Sequence, residues 1–218
     1  MSEKTIRNII FDLGGVILNI NPQLTVDAFH ALGWTEFYDA DHQSLSKELF
    51  YTLEKGDSSP EIFREQVRNR IQIPITDHEI DAAWTAMILD IPADRVRYLE
   101  DLKKSFRLFL LSNTNEIHRI KFHREFETSF DYPFYDLFER NFYSHEMRMR
   151  KPNPEIYLKA LAEAGLDPEE TLFIDDMEEN TQAAMTTGMK VLHIQAGKLM
   201  ESLPEYLKNH YPSIDRIK

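Results

Sequence analysis

Four short apolar runs constrain this chain more than any other feature. They lie at residues 6–11, 107–111, 171–174 and 190–194, with a weaker fifth at 141–144. None alternates apolar with polar, so each reads as a strand buried on both faces, the habit of parallel sheets. Helical patterns separate the later runs. Asn153-Pro154-Glu155 is a helix start, with Asn at the cap and Pro at the first position. Gly165 is a matching stop, and residues 178–187 form another helical stretch closed by Gly188. Strand and helix in alternation predict an α/β fold with a doubly wound parallel sheet.

The interval between the first two strands is too long for one crossover. No strand pattern appears between about residues 19 and 91, but helical spacing does. Leu24, Ala28, Ala31 and Leu32 share a face, as do Leu45, Leu49 and Leu53. So do Phe63, Val67 and Ile71, and then Ile80, Trp84, Met87 and Ile88. Gly33, the stretch Gly56-Asp57-Ser58-Ser59-Pro60, and Pro74 punctuate them. The expectation is a four-helix insert over 19–91, with 1–18 and 92–218 forming the α/β core. Val96, Leu99 and Leu102 fit the helix that returns to the second strand.

Charge narrows the partners. The 218 residues carry a formal net charge of −12, which disfavours nucleic acid and anionic membranes, both polyanions. There is no cysteine, hence no disulfide, thiolate metal site or thiol nucleophile. The opening MSEKTIRNII lacks the apolar core of a signal peptide, and no run approaches the ~20 apolar residues of a membrane span. A cytoplasmic protein is the default expectation.

Ligands of parallel α/β sheets bind beyond the carboxyl ends of the strands. After the first strand stands Asp12, followed by Gly14 and Gly15. After the second come Ser112, Asn113 and Thr114; after the weak strand, Lys151; after the strand at 171–174, the pair Asp175-Asp176. A nucleophilic acid, a hydroxyl with an amide, a cation and two acids suit phosphoryl transfer through a covalent intermediate. Asp12 would attack phosphorus and carry an aspartyl-phosphate that water then cleaves. Mg²⁺ between Asp12 and Asp176 would screen the anions, with the Gly14 carbonyl as a further ligand. Lys151, Ser112 and Asn113 would hold the phosphate oxygens.

FDLGGV, LLSNTN, RKPNPEIY and FIDDMEEN resemble, in order and spacing, the four motifs of the haloacid dehalogenase superfamily. The resemblance spans essentially the whole chain, and the inserted helices look like that family's helical cap. It implies a Rossmann-like core, with Asp12 as nucleophile and Ser112 and Asn113 as phosphate ligands. It also implies Lys151 as the catalytic cation, Asp176 as a Mg²⁺ ligand and Asp175 in support. The nearest likeness is to Asp-Leu-Gly sugar-phosphate phosphatases and to the phosphatase domain of soluble epoxide hydrolases. A small phosphorylated metabolite is the implied substrate.

One position departs from the family. Most of its phosphatases carry a second Asp two residues after the nucleophile, where this chain has Gly14. General acid–base catalysis is worth ~10²–10⁴ in rate. Three readings stand side by side: a leaving group that needs little protonation, such as a sugar anomeric oxygen; a proton from a cap side chain or bound water; or a slow or non-catalytic protein. Dehalogenases of the superfamily also lack the second acid, but they usually lose the acidic pair kept here as Asp175-Asp176. A non-catalytic phosphate binder would have no use for a nucleophile.

Bland readings accompany each feature. Ser112-Asn113-Thr114 is ordinary turn chemistry. The basic cluster at 148–151 could be a solvated face, and Asp175-Asp176 a pair of acids at a helix N-terminus. Asn180 would either hold a metal-bound water or face solvent. The aromatic run at 126–143 is expected to pack a long connection. In the insert, Glu54, Lys55 and Arg64 are candidates for reading the substrate, on no more than a charged helix face.

Overall fold

The computed structural model describes residues 5–37, 43–71 and 73–211. Five strands form one parallel sheet: β1 (Asn8–Phe11), β2 (Arg107–Ser112), β3 (Arg140–Tyr143), β4 (Thr171–Asp175) and β5 (Lys190–His193), in the order β3-β2-β1-β4-β5. All five expected runs are strands, the weak one included. The first loses its leading residues, although Arg7 N–H still bonds to the Glu170 carbonyl at 2.9 Å.

The double burial expected of these runs holds for β1, β2 and β4 and follows from alternation along each strand; β5, at the edge of the sheet, is only partly buried and ends on an exposed His193. Ile9, Phe11, Leu108, Leu110, Leu172 and Ile174 enter one core. Helices α5 (Ala93–Leu102), α6 (Glu116–Phe130) and α10 (Leu199–His210) cover it with Leu99, Phe122, Phe126 and Leu203. Ile10, Phe109, Leu111 and Phe173 face the other way, under α8 (Pro154–Ala164) and α9 (Glu178–Met185). The aromatic run is mainly packing: Phe126, Phe134, Phe138, Phe142 and Tyr143 are all buried, and Tyr135 is exposed. A single turn, α7 (Ser144–Met147), follows β3.

Between β1 and β2 stand α1 (Pro22–Ala31), α2 (Gln43–Glu54), α3 (Pro60–Arg68) and α4 (Asp77–Thr85). Their starts are locally encoded. Asn21 and Ser59 cap α1 and α3, each with Pro at the first position. Thr76 and Glu79 form a reciprocal capping box on α4. Phe29, Phe37, Leu53, Phe63, Val67, Ile80 and Trp84 make a core of their own, which also takes in Ile117 of α6. Phe63 is fully buried there, so its truncation to Ala would cost ~3–5 kcal/mol.

Two local expectations change. The buried face of α1 is Thr25 and Phe29, whereas Leu24 is 39% exposed. Thr25 is tolerated inside because its Oγ1 donates to the Trp84 carbonyl and accepts from Met87 N–H, both at 3.1 Å. Asn153 stands at the cap of α8 without a side-chain bond to it, and Pro154 and the left-handed Gly165 frame that helix instead. The Leu45 side chain lies outside what is described. Among the described residues, no helix is long and apolar enough to cross a membrane.

The chain leaves the sheet and returns to it at one place. Asn19 N–H bonds to the Asp90 carbonyl at 2.9 Å, and Leu89 N–H to the Asn19 carbonyl at 3.0 Å. Asn21 N–H adds a bond to the Met87 carbonyl at 2.9 Å.

Candidate active site

Register assembles the site. Phe11 pairs with Leu110 on one side and Ile174 on the other, so the next residues out, Asp12 and Asp175, emerge side by side. Asp12 N–H is still held by the Ile174 carbonyl at 2.9 Å. Ser112 closes β2 and is buried. Asp12, Asp175 and Asp176 each offer a carboxylate oxygen within 4.8 Å of the others.

Lys151 sits among them, only 1% exposed, rather than on a solvated face. Its Nζ donates to Asp12 Oδ1 at 2.7 Å and to Asp175 Oδ2 at 2.6 Å. Burial opposes the ammonium, but the two carboxylates outweigh it and hold Lys151 above the ordinary lysine value. Burial likewise pushes the Asp12 carboxyl up, against the pull of Lys151. Asp176 is raised by burial first and by Asp175 second. Removing Lys151 would strand two buried carboxylates, a change of ~3–5 kcal/mol for a broken buried pair.

Asn113 serves this lysine. Its Nδ2 donates to the Lys151 carbonyl at 3.0 Å, and its Oδ1 accepts from Lys151 N–H at 2.9 Å. The side-chain amide is therefore committed to Lys151, a use that the sequence did not suggest. Asp175 is fully buried and its acceptor sites are filled: Lys151 Nζ, Met177 N–H at 2.8 Å, and Asn180 Nδ2 at 3.0 Å from both oxygens. Asn180 thus does not face solvent; its Nδ2 braces Asp175.

The two glycines differ. Gly15 has φ +75, and a Cβ there would overlap the Asp176 carboxylate. Gly14 lies against Ile20, whose Cδ1 would be 3.2 Å from an added Cβ. The three carboxylates carry more negative charge than one ammonium balances, and, with Asp175 already engaged, the donors that Asp12 and Asp176 offer are hard oxygens. That donor set fits a divalent cation such as Mg²⁺.

Of the insert candidates, Arg64 is tied to Asp81 by two 2.9 Å bonds within the insert. Lys55 pairs with Asp57 at 2.9 Å. Glu54 instead crosses to the core and pairs with Arg150 at 3.1 Å. Arg150 was hidden in the sequence by its basic neighbours; its signal was adjacency to Lys151.

A parallel sheet with an acid, a lysine and an acidic pair at its carboxyl edge defines a class of hydrolases. The chain belongs to the haloacid dehalogenase-like hydrolase family, whose model matches residues 6–185. It is 31% identical over 196 residues to a D-ribitol-5-phosphate phosphatase of Bacteroides thetaiotaomicron, covering 88% of this chain and 93% of that protein. A sesquiterpene phosphatase of Aspergillus oryzae is 29% identical over 192 residues, covering 87% and 90%. A family enzyme of Bacteroides thetaiotaomicron, solved with magnesium and inorganic phosphate, superposes with a TM-score of 0.81 at 32% identity, covering 91% of this chain and 98% of that one.

Proposed function

We propose that this protein is a Mg²⁺-dependent phosphatase of small phosphorylated metabolites, sugar phosphates foremost. The observation that carries the reading is Lys151 Nζ bridging Asp12 and Asp175, with Asp176 in the same cluster. In this reading Asp12 is the nucleophile, and its oxygen forms the bond to phosphorus as the ester oxygen departs. Lys151 holds Asp12 in place and balances charge on the transferring group. Asp175, braced by Asn180, aims Lys151. Ser112 and the main-chain N–H of Asn113 are the phosphate contacts, since the Asn113 side chain is already engaged. Asp12, Asp176 and the Gly14 carbonyl would hold Mg²⁺, which when bound supplies positive charge to the phosphate and to the carboxylates around it.

Residues 19–91 act as a cap over this edge of the core formed by 1–18 and 92–218. Support comes from a hydrophobic cluster drawn from these residues with Ile117 of α6 added, and from the paired linkers at Asn19 and Leu89. D-ribitol 5-phosphate, for which one relative is named, is a terminal phosphate ester, whose alkoxide needs a proton to leave. This favours a proton supplied by the cap over an anomeric leaving group. Dehalogenation is disfavoured, because it has no use for the three-carboxylate cluster.

The test is phosphate release from a panel of phosphorylated metabolites, with Mg²⁺ and with EDTA, using Asp12→Asn as control. Release that needs both Mg²⁺ and Asp12 supports the reading. Release from no substrate, or halide release without metal, overturns it.

A further inference from the structure

An alkyl phosphate needs a proton delivered to its departing oxygen, and the second half-reaction needs one taken from water. Gly14 has no side chain for either task. We propose that Glu54, carried by the inserted helices, is the general acid and base of this site. The assignment deepens the phosphatase reading and rests on it.

Glu54 ends α2, and the core holds it at two points. Ser144 Oγ lies 2.6 Å from its main-chain carbonyl; the same hydroxyl accepts from Thr114 N–H at 2.9 Å and lies 2.9 Å from the Thr114 carbonyl. The Glu54 carboxylate meets Arg150, with Oε2 3.2 Å from Nε and 3.1 Å from Nη2. Thr114 is two residues past Ser112, and Arg150 immediately precedes Lys151. Residues next to the phosphate turn and to the catalytic lysine therefore hold Glu54, and the Lys151 charge acts on its carboxyl. Gly56 fixes the approach: at φ +68, a Cβ there would overlap the His145 carbonyl. The Arg150 guanidinium also lies 3.8 Å from the ring centre of Tyr51, one turn back on α2.

The surroundings suit a group that must hold and release a proton. The Arg150 and Glu54 side chains are 20% and 22% exposed. Burial is the largest influence on Glu54 and raises its proton affinity, while Arg150 opposes it and favours the carboxylate left after transfer. In the first step Asp12 Oδ bonds to phosphorus, the bond from phosphorus to the ester oxygen breaks, and that oxygen takes the Glu54 proton. In the second, Glu54 carboxylate takes a proton from water as the water oxygen bonds to phosphorus. The bond to Asp12 breaks, phosphate leaves, and Glu54 is protonated again.

A latch between insert and core would show the same ion pair, so the experiment separates the two. Glu54→Gln is compared with the wild type, in Mg²⁺, on the wild type's fastest sugar phosphate and on p-nitrophenyl phosphate, whose phenolate leaves unprotonated. Gln keeps the shape and can still accept from Arg150. The expected result is a loss in kcat/KM, which reports the first step and not the hydrolysis shared by both substrates, of ~10²-fold or more on the sugar phosphate and less than ~10-fold on the aryl ester. Aryl turnover by the variant also reports a folded site with a working Asp12. Equal losses on both substrates would mark a latch and overturn the assignment, as would no loss on either. A wild type that releases phosphate from neither substrate sinks the phosphatase reading and this assignment with it.

Discussion

The side chain of Asn113 and the main chain of Lys151 close a ring of two hydrogen bonds, at 3.0 and 2.9 Å. The turn after β2 thereby sets the height of the lysine that follows α7. Asn113→Ala would leave both main-chain groups of Lys151 without these partners, costing ~1–3 kcal/mol. Urea unfolding should show that loss, together with a fall in kcat as Lys151 shifts. Unchanged stability would mean that the ring does not hold the lysine.

Asn180 donates to both oxygens of a fully buried Asp175. In Asn180→Asp, a second carboxyl must be protonated to make the same bond. Its folded pKa would then lie above the unfolded value of ~3.9. The stability it contributes is present below that value and lost as pH rises through the folded one. Thermal scans from pH 4 to pH 8 should show the variant falling away from wild type toward neutral pH. A constant gap would argue against the contact.

Gly15 and Gly33 both have positive φ, at +75 and +95. Only at Gly15 would a Cβ overlap a side chain, that of Asp176; Gly33 has open space. Ala at either site should cost ~1–2 kcal/mol for the left-handed backbone. Gly15→Ala should in addition weaken the Mg²⁺ response of phosphate release, and Gly33→Ala should not. Equal behaviour of the two would count against the close approach.

Metal should stabilise the fold. At a hundredfold excess over Kd, Mg²⁺ adds about 2.7 kcal/mol, roughly 5–10 °C in Tm for a chain of this size. Asp176→Asn should abolish most of that rise without unfolding the protein, since Asp176 is half-buried and is not bonded to Lys151. A rise that persists in the variant would place the ion elsewhere.

His118 stacks on Trp84 with centroids 4.7 Å apart, and its Nε2 donates to the Trp84 carbonyl at 3.0 Å. Burial lowers its pKa to about 4 from 6.5, with that bond opposing. Between those values the unfolded chain binds more protons than the folded one, so stability rises with pH across the window and is lost on acidification. His118→Gln should flatten the slope of denaturant midpoint against pH from 4 to 6.5. The same slope in both proteins would exclude His118 as its source.

The sheet and the gathering of its four stations were legible because buried parallel strands are apolar on both faces and the candidate residues follow them directly. Ile9 and Ile10 serve opposite cores, and both are required by the same short run. Other features were hidden for physical reasons. Thr25 is buried because Trp84 and Met87, some sixty residues away, satisfy its hydroxyl, and no local periodicity encodes that. Asn180 looks like any polar helix residue until Asp175 is placed beneath it. Glu54, Lys55 and Arg64 are alike in sequence, and only the folded insert shows that one of the three crosses to the core.

The paired linkers at Asn19 and Leu89 carry an evolutionary consequence. The chain departs and re-enters through neighbouring hydrogen bonds, so the intervening seventy or so residues enclose no part of the sheet. β1 and β2 would meet in the same register around a different insert, or around a short turn in its place. Selection can therefore exchange one insert for another while leaving the sheet and the residues at its carboxyl edge in place, the newcomer having only to bring its own proton donor, and recombination at this one point is sufficient to do it.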